Sequence, residues 1–180
     1  MSVELRHLST ILTNLKSYRS GSTEEVSILA EKAELISHSI SGGINNYAIF
    51  DHPIFGRVYA YEVDGYGSRI FMDDANLPSL LSLPLLGFVD RKDPVYMNTR
   101  RMLLSAQGNP YYLAGPQFKG IGGPHVGTSH AWPMSVIVQI MTSDDDKEIL
   151  ELLGMLKSST AGLGLMHESG ACRWRIGSDS

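Results

Sequence analysis

The chain has 180 residues, of which 43% are hydrophobic and 19% are charged, with a formal net charge of −4. This composition is typical of a single globular domain with a sizeable core. The absence of a Lys- and Arg-rich cluster disfavours nucleic-acid binding, and no apolar run approaches the roughly 20 residues of a membrane span. The single cysteine, Cys172, excludes a disulfide within the chain. Residues 1–12 lack the layout of a signal peptide, and no particular compartment is predicted.

Two helices are predicted at the start of the chain. Apolar residues recur at helical spacing over residues 3–15 and again over residues 26–40. Ser22 or Thr23 is expected to cap the second helix, and the pair Gly42-Gly43 is expected to end it in a left-handed conformation. The chain therefore opens with a pair of helices joined by a short connection.

The remainder of the chain is predicted to alternate helices with turns and polar loops. The expected elements, in order, are a β-hairpin of residues 47–50 and 58–62, a short helix from Asn76 to Leu86, a helix from Asp93-Pro94 to about Ala106, a loop over residues 108–130, a helix from Trp132-Pro133 to about Met141, a helix capped by Ser143 that runs to about Leu156, and a Gly-rich loop over residues 158–169. The long loops are rich in Asp, Gly and aromatic residues, which suits an array of helical hairpins with its binding loops on one face.

Acidic residues lie among aromatic and small residues between Tyr59 and Pro84, in the stretch YAYEVDGYGSRIFMDDANLPSLLSLP. A solvated acidic surface would interleave its carboxylates with Lys, Ser and further Glu, whereas this composition is more typical of a concave polar pocket. A second carboxylate stands in the loop Met166-His167-Glu168-Ser169, near the end of the chain. Two carboxylate-bearing loops far apart in sequence are what the hydrolysis of a glycosidic bond requires.

These residues carry a family resemblance. The motifs YAYEVDGYG, MDDANLPSLLSLPLLGF, NPYY, GIGGPH, the WPMS helix start, TSDDD and MHES resemble, in their order, those of glycoside hydrolase family 125, from about Val3 to Ser169. The resemblance implies a metal-independent exo-α-1,6-mannosidase of inverting stereochemistry. It also implies a mostly α fold, a partial (α/α)6 barrel of helical hairpins over residues 1–169 with a small β-hairpin insertion. Residues 170–180 depart from the family pattern and are expected to form a divergent tail.

Glu168 is the predicted catalytic residue. It follows His167 in a Gly-rich loop, and in the family that MHES resembles this Glu is the general base that activates the attacking water. An inverting enzyme holds its two carboxyl groups roughly 6.5–9.5 Å apart to leave room for that water. The alternative interpretation of Glu168 is a solvated loop residue.

The general acid of the family is expected to be missing. The resemblance places it in an Arg-Pro-Ser-Asp-Asp type motif upstream of the helix that corresponds to residues 3–15, and nothing in this sequence matches that motif. Ser143-Asp144-Asp145 is only superficially similar, because it is interpreted as a helix cap followed by an acidic first turn. The chain is therefore expected to be the later part of such a domain and to be inactive alone.

Asp73 and Asp74 are predicted to have different roles. Adjacent side chains on an extended segment point opposite ways, so the two carboxylates should not form one catalytic pair. Asp74, together with Asn76, is predicted to bind sugar hydroxyls, since carboxylates and amides exchange hydrogen bonds with them in pairs. For Asp73, sugar binding and capping of a helix near Asn76 are weighed equally.

Tyr61, Glu62 and Asp64 lie at the end of the predicted β-hairpin. Alternation puts the two carboxylates on one face, where one could contact sugar and the other could brace it. The alternative is a salt bridge with Arg57 or Arg69.

Three further residues complete the predicted sugar site. His125 follows Gly-Gly-Pro and is expected to bind a hydroxyl group, Trp132 is expected to stack on a pyranose ring, and His167 accompanies the base. Core packing is the alternative for Trp132. The spacing of His125 and His130 fits no usual zinc motif, so neither a metal site nor another cofactor is predicted.

The expected partner is a mannoside or another carbohydrate. The main alternative is a non-catalytic remnant that binds a carbohydrate or a protein partner with the same pocket, and a weaker one is a helical interaction module without a sugar site. Self-association is also expected, because the apolar faces of the helices over residues 3–15 and 133–141 would lack neighbours in an open array.

Overall fold

The computed structural model describes residues 1–18, 23–116, 118–160, 162 and 164–171. The elements in these ranges are α1 (Ser2–Tyr18), α2 (Thr23–Tyr47), β1 (Ile49–His52), β2 (Gly56–Tyr59), β3 (Glu62–Val63), β4 (Arg69–Ile70), α3 (Pro94–Leu103), β5 (Tyr112–Ala114), β6 (Lys119–Ile121), β7 (His130–Ala131), α4 (Pro133–Met141), α5 (Asp146–Ser158) and β8 (Gly170–Ala171). The chain divides into two compact units, residues 1–49 and 50–180. In the described ranges no helix is both long enough and apolar enough to cross a bilayer.

The first unit is a pair of packed helices, α1 and α2. Val3 and Ala33 are among its buried residues, and the Ser37 hydroxyl donates a hydrogen bond to the Ser2 carbonyl at 2.7 Å. These contacts confirm the helix that was predicted over residues 3–15 and its pairing with a second helix. The predicted cap at Ser22 and the tail residues 172–180, which include Cys172, lie outside the described residues.

The predicted end of α2 at Gly42-Gly43 is wrong. The helix continues through both glycines to Tyr47, and Ala48 N still donates to the Ile44 carbonyl at 2.9 Å. A glycine ends a helix only where it takes up the left-handed conformation. Within a helix it merely costs about 1 kcal/mol relative to alanine, and the surrounding contacts of the helical pair outweigh that cost.

In its described residues, the second unit contains short paired strands and the helices α3, α4 and α5. Strands β1 and β2 pair where a β-hairpin was predicted, but the predicted bounds are wrong. Tyr47 still belongs to α2, and Glu62 belongs to β3 rather than to the second strand of this hairpin. The pairs β3–β4 and β5–β6 are antiparallel, as are β7 and β8. The loop predicted over residues 108–130 is therefore wrong in part, since it contains β5 and β6 and reaches β7. The alternation of polar and apolar side chains that predicts a strand is missing here, because Gly120 and Gly122 have no side chains.

The short helix predicted from Asn76 to Leu86 is also wrong. This segment forms consecutive turns, with single hydrogen bonds such as Leu83 N to the Leu80 carbonyl at 3.3 Å. Pro78 and Pro84 lack the N–H groups that a continuous helix needs. The backbone N–H groups of Leu80 and Leu81 are instead satisfied by a side chain, as described below.

The remaining helices begin close to the predicted positions. The Asp93 side chain accepts a hydrogen bond from Tyr96 N at 2.8 Å and so caps α3, which ends at Leu103 rather than near Ala106. Helix α4 has the predicted bounds. For α5 the predicted cap is wrong, because the Asp145 side chain accepts from Lys147 N.

The core of the second unit joins its turns, strands and helices. One buried cluster contains Phe55, Val58, Leu81, Met102, Leu103, Ile121 and Val138. A second lies between α4 and α5, which pack on each other, and contains Val136, Leu152 and Leu156. Helices are thus the main regular structure, accompanied by small strand pairs, while closure into a six-hairpin barrel stays a prediction.

Candidate functional site

Asp74, Asn76 and His125 form a hydrogen-bonded chain. Asp74 Oδ1 accepts from Asn76 N at 2.9 Å and from Asn76 Nδ2 at 3.0 Å. The same Nδ2 lies 3.1 Å from His125 Nε2. A carboxylate only accepts hydrogen bonds, so the amide nitrogen of Asn76 must face Asp74, and it therefore also donates to His125. In this geometry Nε2 of His125 is the acceptor, so the neutral ring that fits it carries its proton on Nδ1.

Trp132 lies beside this chain and is 8% exposed, so of its two predicted roles the structure favours core packing over stacking on a sugar. The rings of His125 and Trp132 meet edge to face, with centroids 5.4 Å apart and an interplanar angle of 81°. Trp132 N donates to the Ile121 carbonyl at 3.0 Å, which fixes the backbone next to β7. The indole Nε1 is buried and finds no hydrogen-bond partner among the residues that the structure describes.

Two glycines let the backbone approach the acidic segment closely. Ala75 N donates to the Gly122 carbonyl at 2.8 Å. A Cβ atom on Gly123 would lie 2.8 Å from Asp74 Oδ1, and one on Gly122 would lie 2.1 Å from the His130 carbonyl oxygen. Only glycine fits these two positions without displacing its neighbours.

Asp73 faces the interior, opposite to Asp74. It is fully buried, and its two carboxylate oxygens accept hydrogen bonds from Leu80 N at 2.9 Å and Leu81 N at 3.0 Å. Burial raises the pKa of Asp73 to about 7, although these hydrogen bonds oppose the shift. The helix near Asn76 that Asp73 was weighed to cap is not formed, and Asp73 instead accepts hydrogen bonds from the turn at Leu80 and Leu81.

Tyr61 lies near the two aspartates, although it was not among the predicted sugar ligands. Burial raises the pKa of its hydroxyl group, and the negative charges of Asp74 and Asp73 add to the effect. Its backbone N–H donates to the Ile70 carbonyl at 2.9 Å. Its position beside Glu62, directly before the strand pair β3–β4, is the feature of the sequence that could have identified Tyr61 as a residue of this site.

Asp64 braces the turn between β3 and β4. Its Oδ1 accepts from Tyr66 N at 2.8 Å and from Ser68 N at 3.0 Å. The hydrogen bond from Tyr66 is the main reason that the pKa of Asp64 is lowered. The alternative, an ion pair with Arg69, is not formed in the described ranges, and the Arg69 guanidinium instead lies 4.7 Å from the centroid of the Phe50 ring. Glu62 remains exposed on β3.

The segment that carries His167 and Glu168 is brought next to Trp132. Both side chains are exposed. Strand β8 follows directly and pairs with β7, with Gly170 opposite Ala131. Glu168 precedes Gly170 by two residues, and Trp132 directly follows Ala131, so the two residues lie next to the same strand pair. The structure therefore joins the loop of the predicted base to the segment that follows His125.

No group of three or more His, Cys, Asp and Glu side chains is arranged to hold a metal ion within the part of the chain that the structure describes. His130, which was weighed as a zinc ligand, has its Nδ1 3.0 Å from the Ser129 hydroxyl.

The comparisons with known proteins agree on one family. Residues 1–174 match the family described as metal-independent alpha-mannosidase (GH125). The "Meiotically up-regulated gene 157 protein" of Schizosaccharomyces pombe (strain 972 / ATCC 24843) is 60% identical over 169 residues, which make up 94% of this chain and 31% of that protein. A solved structure from Streptococcus pneumoniae matches with a TM-score of 0.84 and 35% identity, over 95% of this chain and 39% of that one.

The solved protein is described as one of a family of metal-independent alpha mannosidases, in a non-productive substrate complex with alpha-1,6-mannobiose. The chain spans less than two fifths of the length of either relative. Because the family match covers nearly all of its residues, the chain belongs to the GH125 family of metal-independent α-mannosidases.

Proposed function

We propose that this chain forms the base side and part of the mannose pocket of an inverting exo-α-1,6-mannosidase. The observation that carries the proposal is the hydrogen-bonded chain of Asp74, Asn76 and His125 against Trp132, next to the segment of Glu168. Membership of GH125 supports the reaction class. The description of the solved relative supports the α-1,6 linkage.

The pocket offers a sugar both donors and acceptors. In the described ranges Asp74 accepts its hydrogen bonds at Oδ1, which leaves Oδ2 to accept from a sugar hydroxyl. The neutral His125 offers its Nδ1–H as a donor. Trp132, which is 8% exposed, packs edge to face on the His125 ring and so helps to fix that ring. The side chains of Glu62 and His167 are both exposed, and we propose that they bind sugar hydroxyls at the edge of the pocket.

Glu168 is proposed as the general base. As a carboxylate it would take a proton from a water molecule while that water attacks the anomeric carbon, and a separate carboxylic acid would protonate the leaving oxygen. Inversion at an α-mannoside then releases β-mannose as the first product.

The acid is proposed to come from outside these 180 residues. The two carboxylates of the superficially similar segment Ser143-Asp144-Asp145 have structural contacts instead. Asp145 caps α5, and Asp144 forms an ion pair of 2.9 Å with Arg91. General acid catalysis typically contributes a factor of about 10²–10⁴. We therefore expect the 180-residue chain to bind α-mannosides without hydrolysing them.

A Glu168→Gln substitution in a protein extended to the length of its relatives tests the base. The amide keeps the size and hydrogen bonding of the side chain but not its basicity, so hydrolysis of α-1,6-mannobiose should be lost while mannobiose binding persists. NMR of the first product should show β-mannose in the parent protein. Activity of the variant within a few fold of the parent would remove Glu168 from the mechanism.

A non-catalytic carbohydrate-binding role is the second candidate. It is favoured by one observation, that the contacts of Asp74, Asn76, His125 and Trp132 are complete without Glu168. Mannoside binding by the extended protein, without any release of mannose, would favour this role over the enzymatic one.

A further inference from the structure

We infer that Asp73 is a positioning residue for the proposed sugar site, because its buried carboxylate fixes the loop on which Asp74 holds Asn76 and His125. This inference rests on the proposed function only for its effect on sugar binding. Its effect on the geometry of the ligand-free site can be measured separately.

The carboxylate of Asp73 closes a small loop. It accepts hydrogen bonds from the backbone N–H groups of Leu80 and Leu81, seven and eight residues along the chain. The enclosed residues include Asp74 and Asn76, the two members of the hydrogen-bonded chain that face His125. The loop contains no continuous helix. These two hydrogen bonds, which we call the Asp73 clasp, replace those that a helix would have supplied.

The far side of the clasp is anchored in the core. The Leu81 carbonyl accepts a hydrogen bond of 2.9 Å from the Tyr96 hydroxyl of α3, and Tyr96 itself is fully buried. The Leu81 side chain belongs to the main core cluster. Asp73 therefore connects the site loop to the buried core of the second unit.

The near side of the loop is tied to the strand region that carries His125. Ala75 N donates to the Gly122 carbonyl at 2.8 Å, three residues before His125. With both sides fixed, the Asn76 amide is held where it can donate to Asp74 and to His125 at once. Loss of the Asp73 clasp would leave the Gly122 contact and the hydrogen bonds between Ser79 and Ser82, and the amide could then move away from the His125 ring.

Above the raised pKa of about 7, Asp73 is a carboxylate, and its two acceptor oxygens then meet the two backbone donors. The test below applies at such a pH. An asparagine would place an NH₂ group against one of the two backbone N–H groups, leaving a buried donor without a partner. The substitution Asp73→Asn is therefore nearly isosteric and removes half of the clasp.

The test compares Asp73→Asn with Glu148→Gln in the 180-residue chain. Glu148 is the control, since its carboxylate also accepts several hydrogen bonds, from Arg100, Gln139 and Ser143. None of the hydrogen bonds described for it involves Asp74, Asn76 or His125. The first readout is the ¹⁵N shift of the His125 ring without ligand, which reports whether Nε2 still accepts a hydrogen bond. The second is the Kd for α-1,6-mannobiose by calorimetry.

We expect Asp73→Asn to shift the His125 Nε2 signal and to weaken mannobiose binding roughly tenfold, the factor that one lost buried hydrogen bond typically represents. Glu148→Gln should leave both readouts unchanged although it lowers thermal stability. An unchanged His125 signal in folded Asp73→Asn, or equal shifts in the two variants, would overturn the inference.

A second variant covers the case in which Asp73→Asn does not fold. Tyr96→Phe removes only the hydroxyl that holds the Leu81 carbonyl, and we expect it to shift the His125 signal in the same direction but by less. No shift in that variant would overturn the inference. If the parent chain binds no mannobiose, the proposed function fails, while the ligand-free His125 signal still decides the role of Asp73.

Discussion

Asp73 and Asp74 show how one peptide step separates two carboxylates into different environments. Alternation along an extended segment predicted that they would point opposite ways, and the structure confirms it. Which of them is buried could not be predicted, because the donors to Asp73 come from a turn that the sequence presented as a helix. The contact between Asp74 and Asn76 is local and could be predicted from the sequence. The contact between Asn76 and His125 joins residues 49 positions apart, so it could not.

The raised pKa of Asp73 predicts a pH dependence of stability. With a folded-state pKa of about 7 against an ordinary value of 3.8, the folded chain holds a proton that the unfolded chain releases between these pH values. The free energy of unfolding therefore falls as the pH rises from about 4 to 7.

The size of this effect follows from the shift. Between pH 5 and pH 8 the contribution of Asp73 should decrease by about 2–3 kcal/mol. Urea unfolding at the two pH values measures it, and the decrease should be absent in Asp73→Asn. Equal slopes in the parent and the variant would contradict the prediction.

Gly123→Ala should disturb the site itself. Its Cβ would lie 2.8 Å from Asp74 Oδ1, so the carboxylate or the strand must move, at a cost of about 1–3 kcal/mol. Mannobiose affinity, measured by calorimetry, should fall by at least roughly tenfold. Gly154→Ala in α5 is the control, because nothing lies within 4 Å of its Cβ. Unchanged affinity in Gly123→Ala would mean that Asp74 does not depend on this close approach.

At the scale of elements, helix starts were more predictable than helix ends and short strands. The pairs Asp93-Pro94 and Trp132-Pro133 mark the starts of α3 and α4, because proline in the first turn fixes the backbone and lacks only an N–H that the helix does not use. The turns after Asn76 and the strands β5 and β6 depend on long-range partners. The residues of these segments alone do not reveal partners that lie far away along the chain.

The course of α2 through Gly42 and Gly43 yields an element-scale prediction. Both glycines are helical, and a Cβ on either would meet nothing within 4 Å. Alanine at each position should raise the free energy of unfolding by about 0.5–1 kcal/mol. Chemical denaturation of the two single variants measures the change. Destabilisation by alanine would indicate that these residues end the helix after all, as the sequence had suggested.

At the scale of the whole molecule, the first unit exposes many large apolar side chains. On α1 they are Leu8, Ile11 and Leu15, and on α2 they are Ile28, Leu29, Leu35 and Ile36. Contiguous apolar surfaces beyond a few hundred Å² commonly mark sites of association. The self-association expected from the sequence thus remains a prediction for the first unit. The second surface expected for it, on α4, is wrong in part, since Val136 and Val138 are buried in the core clusters.

Light scattering at several concentrations tests this surface. The apparent mass should rise with concentration, and Leu35→Glu, at a side chain that is 71% exposed, should reduce the rise without lowering thermal stability. Leu150→Glu in α5, where the side chain is 69% exposed, serves as the control in the second unit. A sharply melting monomer that binds no hydrophobic dye would contradict the prediction.

The central claim is that these 180 residues contain a working mannose pocket without a complete catalytic pair. Calorimetric titration with α-1,6-mannobiose, combined with an assay for released mannose, tests it most directly. The account predicts saturable binding that is lost in Asp74→Ala and retained in Glu148→Gln, with no mannose released by any of the three proteins. A folded chain that binds no mannobiose, or one that releases mannose in a Glu168-dependent manner, would contradict it.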